Sequence, residues 1–160
     1  MGLRYKNQND FNCFFATTTF QDWKEYGNVP GMYEALAGSL AFCLEKYEAN
    51  LIGYVFMPNH IHLLLVIDGS ELSSFMRDYK KYIAQKAKTD LGIKEKKIWM
   101  PRYDRVVIVD KNLILTKLNY IHNNPVKAKL VSDQQKWKWS SAGDYFSDSE
   151  SQLKISKDWQ

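Results

Sequence analysis

The sequence predicts an α+β domain of the ferredoxin-like kind. Its four-stranded antiparallel sheet is built in the order β-α-β-β-α-β and is followed by an additional C-terminal helix. Three observations predict it. Short β-branched and aromatic runs alternate with segments of helical periodicity. Two apolar runs are separated only by Pro58-Asn59, a tight turn that makes them a hairpin. The chain has 160 residues, 45% apolar and 25% charged, which suits one domain with a substantial core.

The elements follow in order. "CFFATTTF" (13–20) is rich in strand-favouring side chains, and "QDWKEYGNVPG" after it reads as a loop. From Met32 to Tyr47, apolar residues at 33, 36, 40, 43, 44 and 47 line one face of a helix. "NLIGYVFM" (50–57) is nearly all apolar, which predicts a strand central in the sheet. "HIHLLLVI" is the third strand. In the next helix Leu72, Phe75, Met76, Tyr79 and Ile83 form an apolar stripe, while Arg77, Lys80, Lys81 and Lys88 form a basic one. "IWMPRYDRVVIV" holds a fourth strand, placed at Arg105 to Val109. Asp110 is an N-cap for a third helix over 111–124, which Pro125 is expected to stop. The remainder is polar, with a "WKWSSAGDYF" patch that packs back on the domain. The domain thus spans 1–146, with a polar tail over 147–160 and disorder expected in the last ten or so residues.

Composition narrows the function. No apolar run reaches the roughly 18 residues of a membrane helix. The opening "MGLRYKNQND" lacks a secretory apolar core and has Lys6 where a myristoylation signal takes Ser or Thr. Cys13 and Cys43 are lone and lie in apolar segments, so reduced thiols in a cytoplasmic protein are expected. The net charge is only +4, but residues 76–131 hold 14 Lys/Arg against 5 Asp/Glu. That concentration points to a polyanionic partner.

The chemistry centres on His60 and His62. Alternation along a strand puts both on one face with Leu64 and Val66, and puts Ile61, Leu63, Leu65 and Ile67 on the other. The wholly apolar face suits the two sheet-covering helices, which leaves the histidine face for the third. Paired imidazoles near a strand start present nitrogen ligands to a metal, or serve as structural histidines bonded to backbone. On the third helix Ile114, Leu118 and Ile121 face the core, while Tyr120 and Asn124 share another face. If that face looks toward the histidines, a phenol and an amide oxygen converge on two imidazoles. His122 lies about 200° from Tyr120 on the helical wheel and stays outside this set.

Four stretches, "YVFMPNHIHLLL", "IWMPRYDRVVI", "LNYIHNNPVKAKLV" and "WKWSSAGDYF", in this order resemble the single-tyrosine HUH transposases, and among them the REP-associated tyrosine transposases. The likeness runs over about residues 10 to 146. The resemblance implies a ferredoxin-like nuclease domain that cuts and rejoins single-stranded DNA, often beside a hairpin. It casts His60 and His62 as the metal-binding pair, Tyr120 as the nucleophile and Asn124 as the third metal ligand. Trp99, Arg102 and Arg105 fall in a segment that approaches DNA. It admits both a homodimer, with the tyrosine helix exchanged between subunits, and a monomer. It also places the protein in the bacterial cytoplasm with the nucleoid.

Two nitrogens and an oxygen suit Mg²⁺ or Mn²⁺ rather than a closed zinc site. No phosphate-binding glycine loop is present in the sequence, so no nucleotide cofactor is expected. Arg77, Lys80, Lys81, Lys88, Arg102, Arg105, Lys127 and Lys129 are expected to hold phosphates, and Trp99 and Tyr103 to stack unpaired bases. Rival expectations are a catalytically silent hairpin-DNA-binding regulator of the same fold, a sheet-based RNA-binding module and a metal hydrolase that uses water.

Overall fold

A computed structural model describes residues 8–149 and 151–160. The expectation of no leader signal rests largely on residues 1–7, which lie outside the described residues. The elements are β1 (Cys13–Thr19), α1 (Met32–Lys46), β2 (Asn50–Phe56), β3 (His60–Val66), α2 (Leu72–Thr89), β4 (Asp104–Val107), α3 (Lys111–Lys127) and the short α4 (Ala142–Phe146). The sheet order is β2-β3-β1-β4, and all three pairings are antiparallel. This is the expected ferredoxin-like arrangement with an added C-terminal helix. None of the described helices is long and apolar enough to cross a membrane.

The pleat of β3 sorts the molecule into two layers. Ile61, Leu63 and Leu65 point into the larger core, where Leu36, Leu40 and Cys43 of α1 meet Phe75, Tyr79 and Ile83 of α2. Leu64 points the other way, with Phe15, Ile52 and Val55, against Ile114, Leu118 and Ile121 of α3. A one-residue slip would exchange these two sets, so the apolar alternation holds the register. Cys13 and Cys43 are free thiols, and burial pushes both up to about 11.

The nearly all-apolar β2 is an edge strand, not a central one. Its outer side is covered by the C-terminal segment. The Phe56 amide donates to Trp139 O at 2.8 Å, Ser141 N to Tyr54 O at 3.0 Å, and Ser156 N to Leu51 O at 2.7 Å. Trp137 Nε1 and the Tyr145 hydroxyl also donate to β2 carbonyls, those of Phe56 and Ile52. This cover satisfies the open edge much as a neighbouring strand would. It also corrects the expectation of a separate, disordered tail. Leu153 is buried in the larger core, and Trp159 packs beside Tyr145.

Gly53 sets how closely α3 can approach. The register of β2 against β3 shifts between Leu51 and Gly53. A Cβ at Gly53 would lie 2.5 Å from Leu118 Cδ2 and 3.1 Å from Ile121 Cδ1. Only the missing side chain lets the helix sit on the sheet at that height.

Asp110 caps α3 as expected, accepting from Leu113 N at 2.8 Å. Pro125 does not stop the helix, which runs on to Lys127. Proline removes one donor and leaves the Ile121 carbonyl without its helical partner. The turn beyond it is held by its own closure. Lys129 takes φ 60°, its amide donates to Val126 O at 2.9 Å, and Leu130 N donates to Pro125 O at 3.0 Å. These two bonds make a Schellman cap around a left-handed residue.

Candidate active site

Residues paired across the sheet share a face, and on the α3 side one row reads Val55, His62, Thr17, Asp104. The row beside it pairs His60 with Thr19. Both histidines are held from behind. His60 Nδ1 lies 2.6 Å from Asn59 Oδ1, an oxygen that can only accept, so Nδ1 carries the proton and Nε2 keeps its lone pair. His62 Nδ1 lies 2.7 Å from Thr17 Oγ1. Its Nε2 is buried and has no hydrogen-bond partner among the described residues.

An orphaned buried nitrogen is costly, and it persists where something else takes its place. Anchoring one imidazole nitrogen so that the other is presented is how metal-binding histidines are oriented. Burial lowers the His60 pKa and drives that of His62 down to about 3, with the neighbouring His60 and Lys117 adding to the effect. Both rings are neutral at physiological pH, the state a metal ligand needs.

Tyr120 comes to this pair in the same chain. Its ring centroid is 5.3 Å from that of His62, and the two histidine rings are 4.7 Å apart. Phe15 floors the group, stacked on His62 at 5.2 Å and edge-on to Tyr120 at 6.1 Å. The phenol is 48% exposed, open to an incoming molecule. Asn124 lies one helical turn further on, half-buried, on the Tyr120 side of α3. His60 and His62 present two neutral nitrogens on the side of the sheet that α3 covers, and with the Asn124 carboxamide as a third donor they would suit a divalent cation with open positions. Three donors fall short of the closed four-ligand shell of a structural zinc.

His122 belongs elsewhere, as its position on the wheel requires. Its Nε2 lies 2.7 Å from Ser141 Oγ, and its ring packs on Tyr145 and Phe146. Burial lowers its pKa to about 4. Ser141 also accepts from Tyr54 N at 3.0 Å, so this histidine ties α3 to the cover on β2.

The expected DNA-binding residues do not form one surface. Lys127 and Lys129 are exposed at the C-terminal end of α3, beyond Asn124. Arg102 is exposed in the loop before β4, and Tyr103 is half-buried with its hydroxyl 3.4 Å from that of Ser73. Arg105 pairs with Ala16 and so points to the α1/α2 side of the sheet. The basic stripe of α2 lies in the layer across the sheet from the histidines. There Lys80 and Lys88 donate to Met100 O and Lys96 O, holding the 90–103 loop. Arg77 turns to Asp78, and Lys81 stays exposed. Trp99 is not a platform for bases. It is buried, stacked on Phe20 at 4.4 Å, and donates from Nε1 to Lys80 O.

Four supporting residues escaped the sequence reading: Thr17, Asn59, Phe15 and Lys117. Asn59 directly precedes His60 and could have been suspected from that position. Thr17 and Phe15 become visible only once β1 is registered against β3.

The geometry defines a class: a ferredoxin-like domain with a paired-histidine and tyrosine site between its sheet and a crossing helix. Residues 28–124, more than half of the chain, match the family described as IS200-like transposases, and the protein belongs to that family. A Haemophilus influenzae Rd protein described as a REP-associated tyrosine transposase is 28% identical over 107 residues. The match covers 61% of this chain and 61% of that one, so the chain spans about three fifths of its relative's length. A solved REP-associated tyrosine transposase bound to a REP hairpin superposes with a TM-score of 0.73 at 21% identity, over 90% of this chain and 83% of that one. A transposase of Deinococcus radiodurans R1 gives 0.52 at 19% identity, over 77% of this chain and 94% of that one. At these identities the two structures speak for the fold.

Proposed function

We propose that the protein is a metal-dependent single-stranded DNA endonuclease and strand transferase, a tyrosine transposase acting at hairpin-forming repeat DNA. The observation that carries this reading is the meeting of the Tyr120 phenol with the His60–His62 pair inside one chain. Family membership and the hairpin-bound structural relative support the substrate class.

Each residue has a distinct task. The Tyr120 oxygen forms a bond to phosphorus as the bond from phosphorus to the 3′-oxygen breaks. The phenol loses its proton and the departing 3′-oxygen gains one. The product is a 5′-phosphotyrosine with a free 3′-hydroxyl. Its ester energy is conserved, so rejoining requires no nucleotide. His60, His62 and Asn124 would hold a Mg²⁺ or Mn²⁺ ion, which when bound supplies Lewis-acid polarisation of the phosphate. Asn59 and Thr17 fix the imidazoles, and Phe15 keeps the floor of the site dry. Lys127 and Lys129, exposed beyond Asn124, and Arg102, exposed before β4, would contact the DNA backbone.

The test is incubation with a labelled hairpin-forming single-stranded library and Mn²⁺, followed by denaturing gels and mass spectrometry. A DNA adduct on Tyr120 is expected. Tyr120→Phe should remove it, with a rate loss above about 10³-fold and an unchanged melting temperature. Cleavage that survives Tyr120→Phe would mean hydrolysis by water. Binding without cleavage under any divalent metal would mean a silent regulator.

A further inference from the structure

Lys117 stands one helical turn before Tyr120 on α3, so the two side chains leave neighbouring positions on one face. Its ammonium lies 4.8 Å from the centroid of the Phe15 ring. That ring also stacks on His62 and meets Tyr120 at its edge. Three functional groups therefore surround one aromatic ring that is only 6% exposed. Among the described residues, the ion pairs join Lys24 to Glu95, and Lys46 and Arg77 to Asp78, and none takes Lys117. Its charge also reaches His62, where it disfavours protonation of the imidazole.

A cation held by a ring face rather than by a carboxylate keeps its charge for an incoming anion. Cation–π contact fixes its position without neutralising its charge. An ammonium offers three donors, so it can hold the ring and still bond an oxygen. The anion that reaches Tyr120 and His62 in the proposed reaction is a phosphodiester, and its negative charge repels the attacking phenol oxygen.

We propose that Lys117 is a catalytic residue of this site: its ammonium binds a non-bridging oxygen of the phosphodiester that Tyr120 attacks. This rests on the reading of the site given above. Lys117 neutralises the charge that builds on the phosphoryl oxygens in the transition state, a task distinct from that of the metal ligands. It also separates the fourteen basic residues of 76–131 by role. One reaches the reacting phosphate, while those on α2 lie across the sheet.

The experiment compares wild type, Lys117→Met and Lys117→Arg in single-turnover adduct formation with Mn²⁺. The probe is an oligonucleotide that the wild type cleaves, made with either a normal phosphodiester or an uncharged methylphosphonate at the mapped cut. Methionine keeps the apolar stem over Phe15, so the melting temperature should hold. On the phosphodiester, Lys117→Met should slow adduct formation by about 10²-fold or more, and Lys117→Arg should recover most of that. On the methylphosphonate, Lys117→Met and wild type should agree within about threefold, because the charge that Lys117 binds is gone. A purely structural lysine would show the same deficit on both probes. Equal deficits, or no deficit on the phosphodiester, overturn the assignment while the wild-type adduct leaves the site reading standing. No adduct with wild type overturns both.

Discussion

The two faces of one sheet are built on opposite principles. On the α1/α2 face, β3 contributes Ile61, Leu63 and Leu65, all fully buried and surrounded by apolar side chains. On the α3 face, the same strand contributes His60 and His62, with an imidazole nitrogen buried and without a hydrogen-bond partner among the described residues. The first face removes apolar area from water and stabilises the fold. The second gives up some of that stabilisation to keep groups that bind and react. Alternation in a single strand lets both exist at adjacent residues. The difference teaches that on this sheet stability and chemistry can be perturbed separately.

That separation can be attacked from either side. The largest expected effect is on the dry face. Leu63→Ala should lower unfolding stability by about 2–5 kcal/mol in urea titrations. Adduct formation per folded molecule should stay within about twofold, since no group on the histidine face moves. A selective loss of chemistry with little loss of stability would break the comparison.

Gly53→Ala strikes the other face. The new methyl group meets the side-chain ends of Leu118 and Ile121, which must give way and press on α3. Overpacking of this kind costs about 1–3 kcal/mol. A shift of the helix by even about 1 Å should cost about 10²-fold in the rate of attack by Tyr120. Stopped-time adduct assays beside urea melts would show the chemical loss exceeding the stability loss. Equal losses would mean that α3 carries no positional constraint.

The smallest effect lies at the end of α3. Lys129→Gly relieves the positive φ and should raise stability by about 0.5–1 kcal/mol. Phosphate affinity should fall slightly, seen as a shallower dependence of binding on salt. A destabilised variant would contradict the Schellman reading of this turn.

Much of the fold could be read because its signals are local. Alternation at 60–67 and the stripe of α2 each declare a face within one element, and Asp110 announces the start of α3. The misread parts depend on distant chain. Strand β2 is largely apolar because residues 137–156 cover its edge, and those residues lie some eighty to a hundred positions away. Leu153 and Ile155 make a single alternation and Trp159 stands alone among polar neighbours, too short a pattern to announce that they pack on the domain. Pro125 carries a bias against helix that the Schellman closure overrides. At the site, residue type and spacing drew attention to His60 and His62 and put Tyr120 with Asn124 on one helical face, while their roles came from the family resemblance. Thr17, Phe15 and Lys117 drew no such attention, because their relevance comes from cross-strand register and from the height of α3. The α2 stripe misled because charge marks an exposed face without saying which side of the sheet it is on.

The central claim is that Tyr120 and the histidine pair of one chain form one working site. Mixing inactive proteins tests it most directly. Tyr120→Phe and His62→Ala, each without activity alone, would be combined in equal amounts and assayed for the DNA adduct with Mn²⁺. The account predicts no recovery, because every site in the mixture lacks one of its own groups. Recovery toward a quarter or more of wild-type activity would mean that the tyrosine works on the histidines of another chain, and the arrangement described here would be contradicted.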